Sequence, residues 1–147
     1  TCRIAPHHFP DAAQFVREAA RVLKVGGLLL VQDHVLPDDT TTAAVVDGFE
    51  ALRDPSHNHA FSQVRWEAMF VEAGLSIDHA EQLIKRHDFA DWTARQACDA
   101  AIIAELTQIV ATASEAVHAW MQPENWGTES ASFVNHHLII AGRKDSV

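Results

Sequence analysis

The segment between residues 11 and 33 most constrains how this chain can fold, because a helix, two glycines and an apolar run follow one another without a gap. Asp11 can cap the helix, with Gln14 at the reciprocal position of a capping box, and apolar residues recur at helical spacing to about Lys24. Gly26 stands where a left-handed C-terminal cap belongs. Residues 28–31 then predict a strand that is apolar on both faces, which is typical of a covered parallel sheet.

Helices and strands continue to alternate downstream. A second helix is predicted to end near Arg53, and Ser62 can cap a third helix that ends at Gly74. Alternating apolar residues over 75–84 predict a strand with an irregularity near residues 81–82. This order of elements is typical of a layered α/β fold.

The alanine-rich part of the chain, residues 89–121, is predicted to be a helical insert with a long amphipathic stripe over 102–120, and a last strand is predicted over 132–142. The aromatic residues of this helical insert are core in one interpretation and the lid of an apolar pocket in another. Residues 1–5 read as the end of a strand already under way. The whole chain, 1–147, is therefore predicted to be part of one α/β domain that it enters partway through the sheet.

Charge and cysteine content limit the classes of partner and the cellular location that the sequence predicts. With 20 acidic and 11 basic residues the net charge is −9, which repels nucleic acid and anionic lipid, so neither nucleic acid nor a membrane is predicted as a partner. Cys2 and Cys98 lie far apart and form no CxxC motif, which fits a reducing, cytoplasmic location. The apolar runs are too short for a membrane-spanning helix.

Three ordered segments carry a resemblance to a known family. They are residues 3–11 (RIAPHHFPD), 18–33 (EAARVLKVGGLLLVQD) and 53–57 (RDPSH). Together they resemble the second half of a class I S-adenosylmethionine-dependent methyltransferase. More narrowly, they resemble small bacterial proteins close to the ubiquinone/menaquinone-biosynthesis methyltransferases.

The resemblance implies a Rossmann-like, seven-stranded sheet whose last strand is antiparallel and inserted beside the fifth. The strands of this chain would be the fourth to the seventh. In such enzymes a glycine-rich loop and an acidic residue from the earlier strands grip the cofactor, and no G-x-G-x-x-G stretch occurs in this sequence. The chain is therefore expected to be the C-terminal part of a methyltransferase domain and to be inactive alone.

By the same resemblance, Arg3, Ile4 and Ala5 are expected to contact the methionine portion of S-adenosylmethionine; packing at the strand's end is the alternative. Ligands of open α/β sheets bind at this edge. His8 follows at the rim, where an imidazole can take a proton from a hydroxyl or an acidic carbon as the methyl group arrives. His8 is therefore predicted to be catalytic, and a loop histidine bonded to backbone is the alternative.

His7, Asp33 and His57 are predicted to line the substrate pocket. His7 precedes His8, Asp33 ends the strand after the glycines, and His57 lies in a loop that matches the family's third segment. Each also has a structural interpretation, as a loop or strand-edge residue. The ten histidines are not arranged with carboxylates or thiolates at ligand spacing, so no metal is predicted.

The predicted function is methyl transfer from S-adenosylmethionine to a small molecule, by in-line displacement at the sulfonium methyl. Two alternatives stay open. One is the C-terminal half of a nicotinamide-dependent dehydrogenase, which would carry a dinucleotide glycine fingerprint upstream. The other is a non-catalytic binding or scaffold module.

Overall fold

The computed structural model describes residues 1–145, which form two compact units. The first, called the sheet unit, comprises residues 1–38, 58–83 and those from 136 onward. The second, called the helical unit, comprises residues 39–57 and 84–135.

Within residues 1–145 the strands and helices alternate as the sequence predicts. The strands are β1 (Cys2–Arg3), β2 (Leu28–Leu36), β3 (Phe61–Ser62), β4 (Leu75–Asp88) and β5 (Ser132–Lys144). The helices are α1 (Ala12–Val22), α2 (Thr40–Arg53), α3 (Gln63–Glu72), α4 (Phe89–Ala94), α5 (Ala100–Ala111) and α6 (Glu115–Met121).

The sheet is mixed, in the strand order β1-β2-β5-β4. β2 pairs parallel with β1 and with the short β3, which the sequence analysis missed. Its other partner, β5, runs antiparallel, with Leu28 opposite Arg143 and His34 opposite His137. The prediction that the last strand is antiparallel and lies beside the 28–31 strand is confirmed.

The turn between α1 and β2 depends on both glycines, in a different way from that predicted. α1 ends at Val22 rather than near Lys24, and Leu23 is its C-terminal cap. Gly26 therefore does not cap the helix; its φ of +75° forms the turn that follows. A Cβ on Gly27 would lie 2.7 Å from the Lys24 carbonyl oxygen, which explains the second glycine.

Side-chain caps set the starts of the helices. Asp11 accepts a hydrogen bond from the Gln14 N–H at 2.8 Å, and Ser62 accepts one from the Arg65 N–H at 3.4 Å. The predicted caps of α1 and α3 are confirmed. β4 runs from Leu75 to Asp88 as one strand, longer than the predicted 75–84.

The helical insert predicted over 89–121 is divided into three helices. Asp88, Asp99 and Ser114 each accept a hydrogen bond from the N–H three residues later, which starts a new helix each time. These local side-chain bonds compete with continuation of the preceding helix, so the predicted stripe is interrupted between α5 and α6.

Each unit has its own core. In the sheet unit, α1 packs against α3, and Trp66, Phe70 and Val16 are fully buried. In the helical unit, Phe49 stacks on Trp92 with ring centroids 5.0 Å apart, and Phe133 meets both rings edge-on.

Among the described residues, no single helix is long and apolar enough to cross a membrane; α5 and α6 together reach that length only across a bend of 114°.

Candidate functional site

His7 is bonded twice to Asp33 in the interior of the sheet unit. After β1 the chain makes a 3-10 turn over Pro6–His8, which directs His7 inward. The His7 backbone N–H donates to Asp33 Oδ2 at 2.7 Å, and its Nδ1 lies 2.6 Å from Asp33 Oδ1. The two residues are 4% and 1% exposed. With Nδ1–H donating to the carboxylate, the ring orientation is fixed and Nε2 is the nitrogen that can accept.

Three further imidazole rings extend from His7. The His8 ring lies 4.0 Å from the His7 ring, and the His34 ring meets His7 edge-on at 4.7 Å. His137, opposite His34 on β5, continues the contact at 4.8 Å. His8 is half-buried, whereas His137 is buried, so the four rings lead from the margin of the sheet unit into its interior.

The three residues predicted to contact the cofactor are the last residue of β1 and the two that follow it. Arg3 is exposed, and its Nε donates to the Gln32 side chain at 2.9 Å. Ile4 has a φ of +48°, which is costly for a β-branched residue, and its N–H donates to the Gln32 carbonyl at 2.7 Å. The Ala5 carbonyl accepts from the His8 N–H at 2.9 Å. Strained backbone of this kind is concentrated at functional sites.

Asn58 fixes the His7 segment, a contact that the sequence analysis missed. The N–H groups of Asn58 and His59 both donate to the His7 carbonyl, at 2.8 and 3.0 Å. The Asn58 side-chain amide donates to the Phe9 carbonyl at 2.7 Å. These bonds join residues fifty positions apart, and no local pattern in the sequence signals them.

His57 belongs to the helical unit and is bonded there to Asp47. Its Nε2 lies 2.7 Å from Asp47 Oδ1, and its side chain is 3% exposed. Of the three predicted pocket residues, His7 and Asp33 are therefore bonded to each other, whereas His57 forms a second aspartate–histidine pair. Asp47 was not predicted, because it lies on α2 and His57 lies in the loop after α2, and no local pattern in the sequence links the two.

Two further features bear on chemistry. Burial raises the pKa of the Cys2 thiol, and the nearby Asp33 carboxylate raises it further. Over residues 1–145, no group of three or more histidine, cysteine, aspartate or glutamate side chains is arranged to hold a metal ion.

The helical unit contains an apolar cavity of about 400 Å³. Phe89 and Trp126, whose rings are 4.8 Å apart, form part of its wall. Trp92 and Met121 are instead buried as core. Some aromatic residues of the insert are therefore core, as one interpretation predicted, and Trp126 lines the cavity.

Comparison with known proteins agrees with this architecture. Residues 1–31 match the family model described as a methyltransferase domain. Over 95 residues the chain is 39% identical to the uncharacterized methyltransferase YcgJ of Bacillus subtilis, an alignment that covers 65% of this chain and 38% of YcgJ. It is 30% identical over 125 residues to the uncharacterized protein YafE of Escherichia coli, covering 85% of this chain and 60% of YafE.

Solved structures show the same likeness over nearly the whole chain. A candidate methyltransferase from Bacillus halodurans superposes on 99% of it with a TM-score of 0.93 and 31% identity, and the chain covers 68% of that protein. The YcgJ structure also gives a TM-score of 0.93, with 30% identity and 63% of its own length covered. The sheet is thus the Rossmann-like sheet of these proteins, although the chain spans only 38% and 60% of its curated relatives. On the strength of this shared fold and sequence, the chain belongs to the class I S-adenosylmethionine-dependent methyltransferases.

Proposed function

We propose that the full-length protein transfers a methyl group from S-adenosylmethionine to a small molecule. The observation that carries this proposal is the buried His7–Asp33 pair in a methyltransferase fold: His7 follows the carboxyl end of β1, and Asp33 lies in the C-terminal half of β2, which continues to Leu36 rather than ending at Asp33 as predicted. Ligands of open α/β sheets bind at that edge. Because two hydrogen bonds hold His7 in place, the residues next to it are also fixed in position. Residues fixed in this way can align two reacting groups.

Arg3, Ile4 and Ala5 are proposed to line the methionine portion of the cofactor. Their chemistry fits that group, because the half-buried Ile4 and Ala5 offer an apolar wall and the exposed Arg3 guanidinium can pair with a carboxylate. The strained Ile4 turns the chain sharply after β1 and so sets the direction of the residues that follow. When bound, S-adenosylmethionine supplies an activated methyl group on a cationic sulfur.

His8 is proposed to take the proton that the acceptor's nucleophile loses as it gains the methyl group. Its ring is half-buried at the margin of the site, and it packs on His7, which Asp33 holds in place. An imidazole is suited to this proton transfer near neutral pH. His7, Asp33 and His57 are proposed to shape the acceptor pocket.

The acceptor is proposed to be a small molecule rather than nucleic acid or a lipid surface. The net charge of −9 disfavours both polyanionic partners. The apolar cavity between Phe89 and Trp126 suits an acceptor with an apolar or aromatic body.

The first test is isothermal titration calorimetry of the full-length gene product with S-adenosylmethionine, in parallel with NADH. We expect binding of S-adenosylmethionine and none of NADH. Absence of S-adenosylmethionine binding would overturn the proposal, and binding of NADH alone would favour the dehydrogenase alternative.

The second test addresses His8. With any acceptor found by screening, His8→Asn is expected to retain cofactor binding and to lower turnover by about 10²-fold or more, the usual contribution of a general base. His79→Asn is the matched control, because His79 is exposed on β4. Equal turnover of the His8 variant and the control would remove His8 from the mechanism.

A further inference from the structure

Arg53, the last residue of α2, has its guanidinium held in a fixed plane inside the helical unit. The guanidinium carbon lies 4.3 Å above the centre of the Trp92 ring. Its Nε donates to the Trp92 backbone carbonyl at 3.0 Å. Trp92 is 2% exposed and in turn stacks on Phe49, with the two ring planes 8° apart. Arg53 is thus held by both the ring and the carbonyl of Trp92 and has little rotamer freedom left to lose on binding.

The carboxylates near Arg53 are engaged by other residues. Glu50 Oε1 accepts a hydrogen bond from the Asn135 amide at 2.8 Å. Asp54 accepts hydrogen bonds from Ser56 at 2.9 Å and from the Gln96 side chain. Among residues 1–145, Arg53 forms no ion pair, and neither of its terminal Nη nitrogens donates a hydrogen bond. Within the part of the chain that the structure describes, the two Nη nitrogens of Arg53 can therefore donate hydrogen bonds to a ligand.

This arrangement is unusual for an arginine that only stabilises a helix end. A basic residue in the last turn of a helix ordinarily interacts with that helix's own final carbonyls. Arg53 bonds the carbonyl of Trp92, on α4, instead. The half-buried guanidinium has lost part of its hydration; this burial lowers its pKa, and Glu50 and then Asp54 partly offset the effect. A partly desolvated cation without a direct ion pair gains most from a bound anion.

We propose that Arg53 binds a carboxylate or phosphate group of a small-molecule ligand through its two Nη nitrogens. A planar guanidinium whose Nε is already fixed presents these donors in the geometry that matches two oxygens of one anion. Identification of this ligand as the methyl acceptor rests on the proposed function. The acceptor would then carry a carboxylate or phosphate group.

The test measures anion binding separately from methyl transfer. Benzoate and phenyl phosphate are titrated into the full-length protein, with neutral benzamide as the matched control ligand. Binding is followed by calorimetry and by the ¹H–¹⁵N NMR signal of the Arg53 Nε–H, assigned from its loss in Arg53→Lys. We expect at least one of the two anions to bind and to shift this signal, and benzamide to do neither.

Variants identify the residue responsible. Arg53→Gln is expected to weaken anion binding about tenfold or more, since a charge-assisted pair is lost. Arg53→Lys is expected to weaken anion binding several-fold, because lysine keeps the positive charge but lacks the planar pair of Nη donors. Arg95→Gln, which removes an exposed arginine of the same unit, is expected to bind within about twofold of the unchanged protein. Thermal unfolding of each variant checks that it folds.

Four results would overturn the inference: no binding of either anion, binding of benzamide as tight as that of the anions, unchanged binding in Arg53→Lys, or equal losses in Arg53→Gln and Arg95→Gln. Anion binding at Arg53 without any binding of S-adenosylmethionine would support the site and refute the proposed function. Binding of S-adenosylmethionine without any anion binding would support the proposed function and refute the site.

Discussion

Asp33 uses both oxygens of one carboxylate to hold His7, one on the backbone N–H and one on the imidazole. The pair is buried, so its two bonds face little competition from water. A single residue of β2 thereby sets both the path of the chain after β1 and the orientation of the ring that follows.

Replacing Asp33 is expected to be costly. Asp33→Ala leaves two buried donors of His7 without their acceptor, and we expect a loss of about 2–4 kcal/mol in the free energy of unfolding, measured in urea. The control is Glu18→Ala, which removes the exposed ion pair with Arg21 and should cost less than about 1 kcal/mol. Similar losses in the two variants would contradict a central role for the Asp33–His7 pair.

Ile4 provides a test of backbone strain, because at this position a glycine variant should be more stable than an alanine variant, the opposite of the usual order. Because its φ is +48°, Ile4→Gly should be more stable than Ile4→Ala, by about 1 kcal/mol. In α5 the order should be the normal one: Ala104→Gly, at an exposed helical position, should lose about 1 kcal/mol. Urea unfolding of the four proteins, with the unchanged chain as reference, measures both differences. If alanine is the better residue at both positions, Ile4 is not strained.

Two glycines should respond to alanine with opposite signs. A Cβ on Gly142 would lie 2.6 Å from Phe70 Cδ1, so Gly142→Ala should destabilise the protein by about 1–3 kcal/mol. A Cβ on Gly48, inside α2, would meet nothing within 4 Å, so Gly48→Ala should stabilise it by about 0.5–1 kcal/mol. Thermal unfolding separates the two variants, and a stabilising Gly142→Ala would show that Phe70 can move aside.

The cap of α2 should contribute stability that depends on pH. Hydrogen bonds from the Thr42 hydroxyl, and then from the Thr42 N–H, lower the pKa of Asp39 below the ordinary carboxyl range. A carboxyl whose folded pKa is lowered stabilises the protein above its unfolded pKa of about 4 and loses that effect as the pH falls through the folded pKa. The stability difference between the unchanged chain and Asp39→Ala should therefore shrink between pH 7 and pH 3.

The matched variant for this prediction is Asp39→Asn, which keeps a capping oxygen but carries no charge. Its advantage over Asp39→Ala should be the same at pH 7 and pH 3. Urea unfolding at both pH values measures these differences. A constant gap between the unchanged chain and Asp39→Ala would mean that the Asp39 charge does not stabilise α2.

The features predicted correctly from the sequence are those that a few neighbouring residues determine. Asp11 and Ser62 cap their helices because the N–H groups that they bind are three residues away. The glycines at the α1–β2 turn are similarly local, although the residue that caps α1 was not predicted. The antiparallel last strand came from the family resemblance, since no residue pattern within 132–142 encodes its direction.

The parts of the site that were missed depend on contacts between distant residues. His7, Asp33 and His57 were proposed as a set, but sequence spacing does not reveal that Asp33 bonds His7 or that Asp47 bonds His57. The hydrogen bonds from Asn58 to the carbonyls of His7 and Phe9 also join residues that are distant in sequence. Such pairings are decided by tertiary packing, whose outcome a periodic pattern cannot specify.

The position of β5 in the sheet also governs when the sheet can assemble during synthesis. β5, near the end of the described chain, lies between β2 and β4, so these two strands cannot be joined until β5 has left the ribosome. One edge of β2 therefore stays unpaired while residues 37–131 are synthesised. Because exposed edges and late, long-range pairings favour aggregation, the nascent protein depends most on chaperones in the interval between the synthesis of β2 and that of β5.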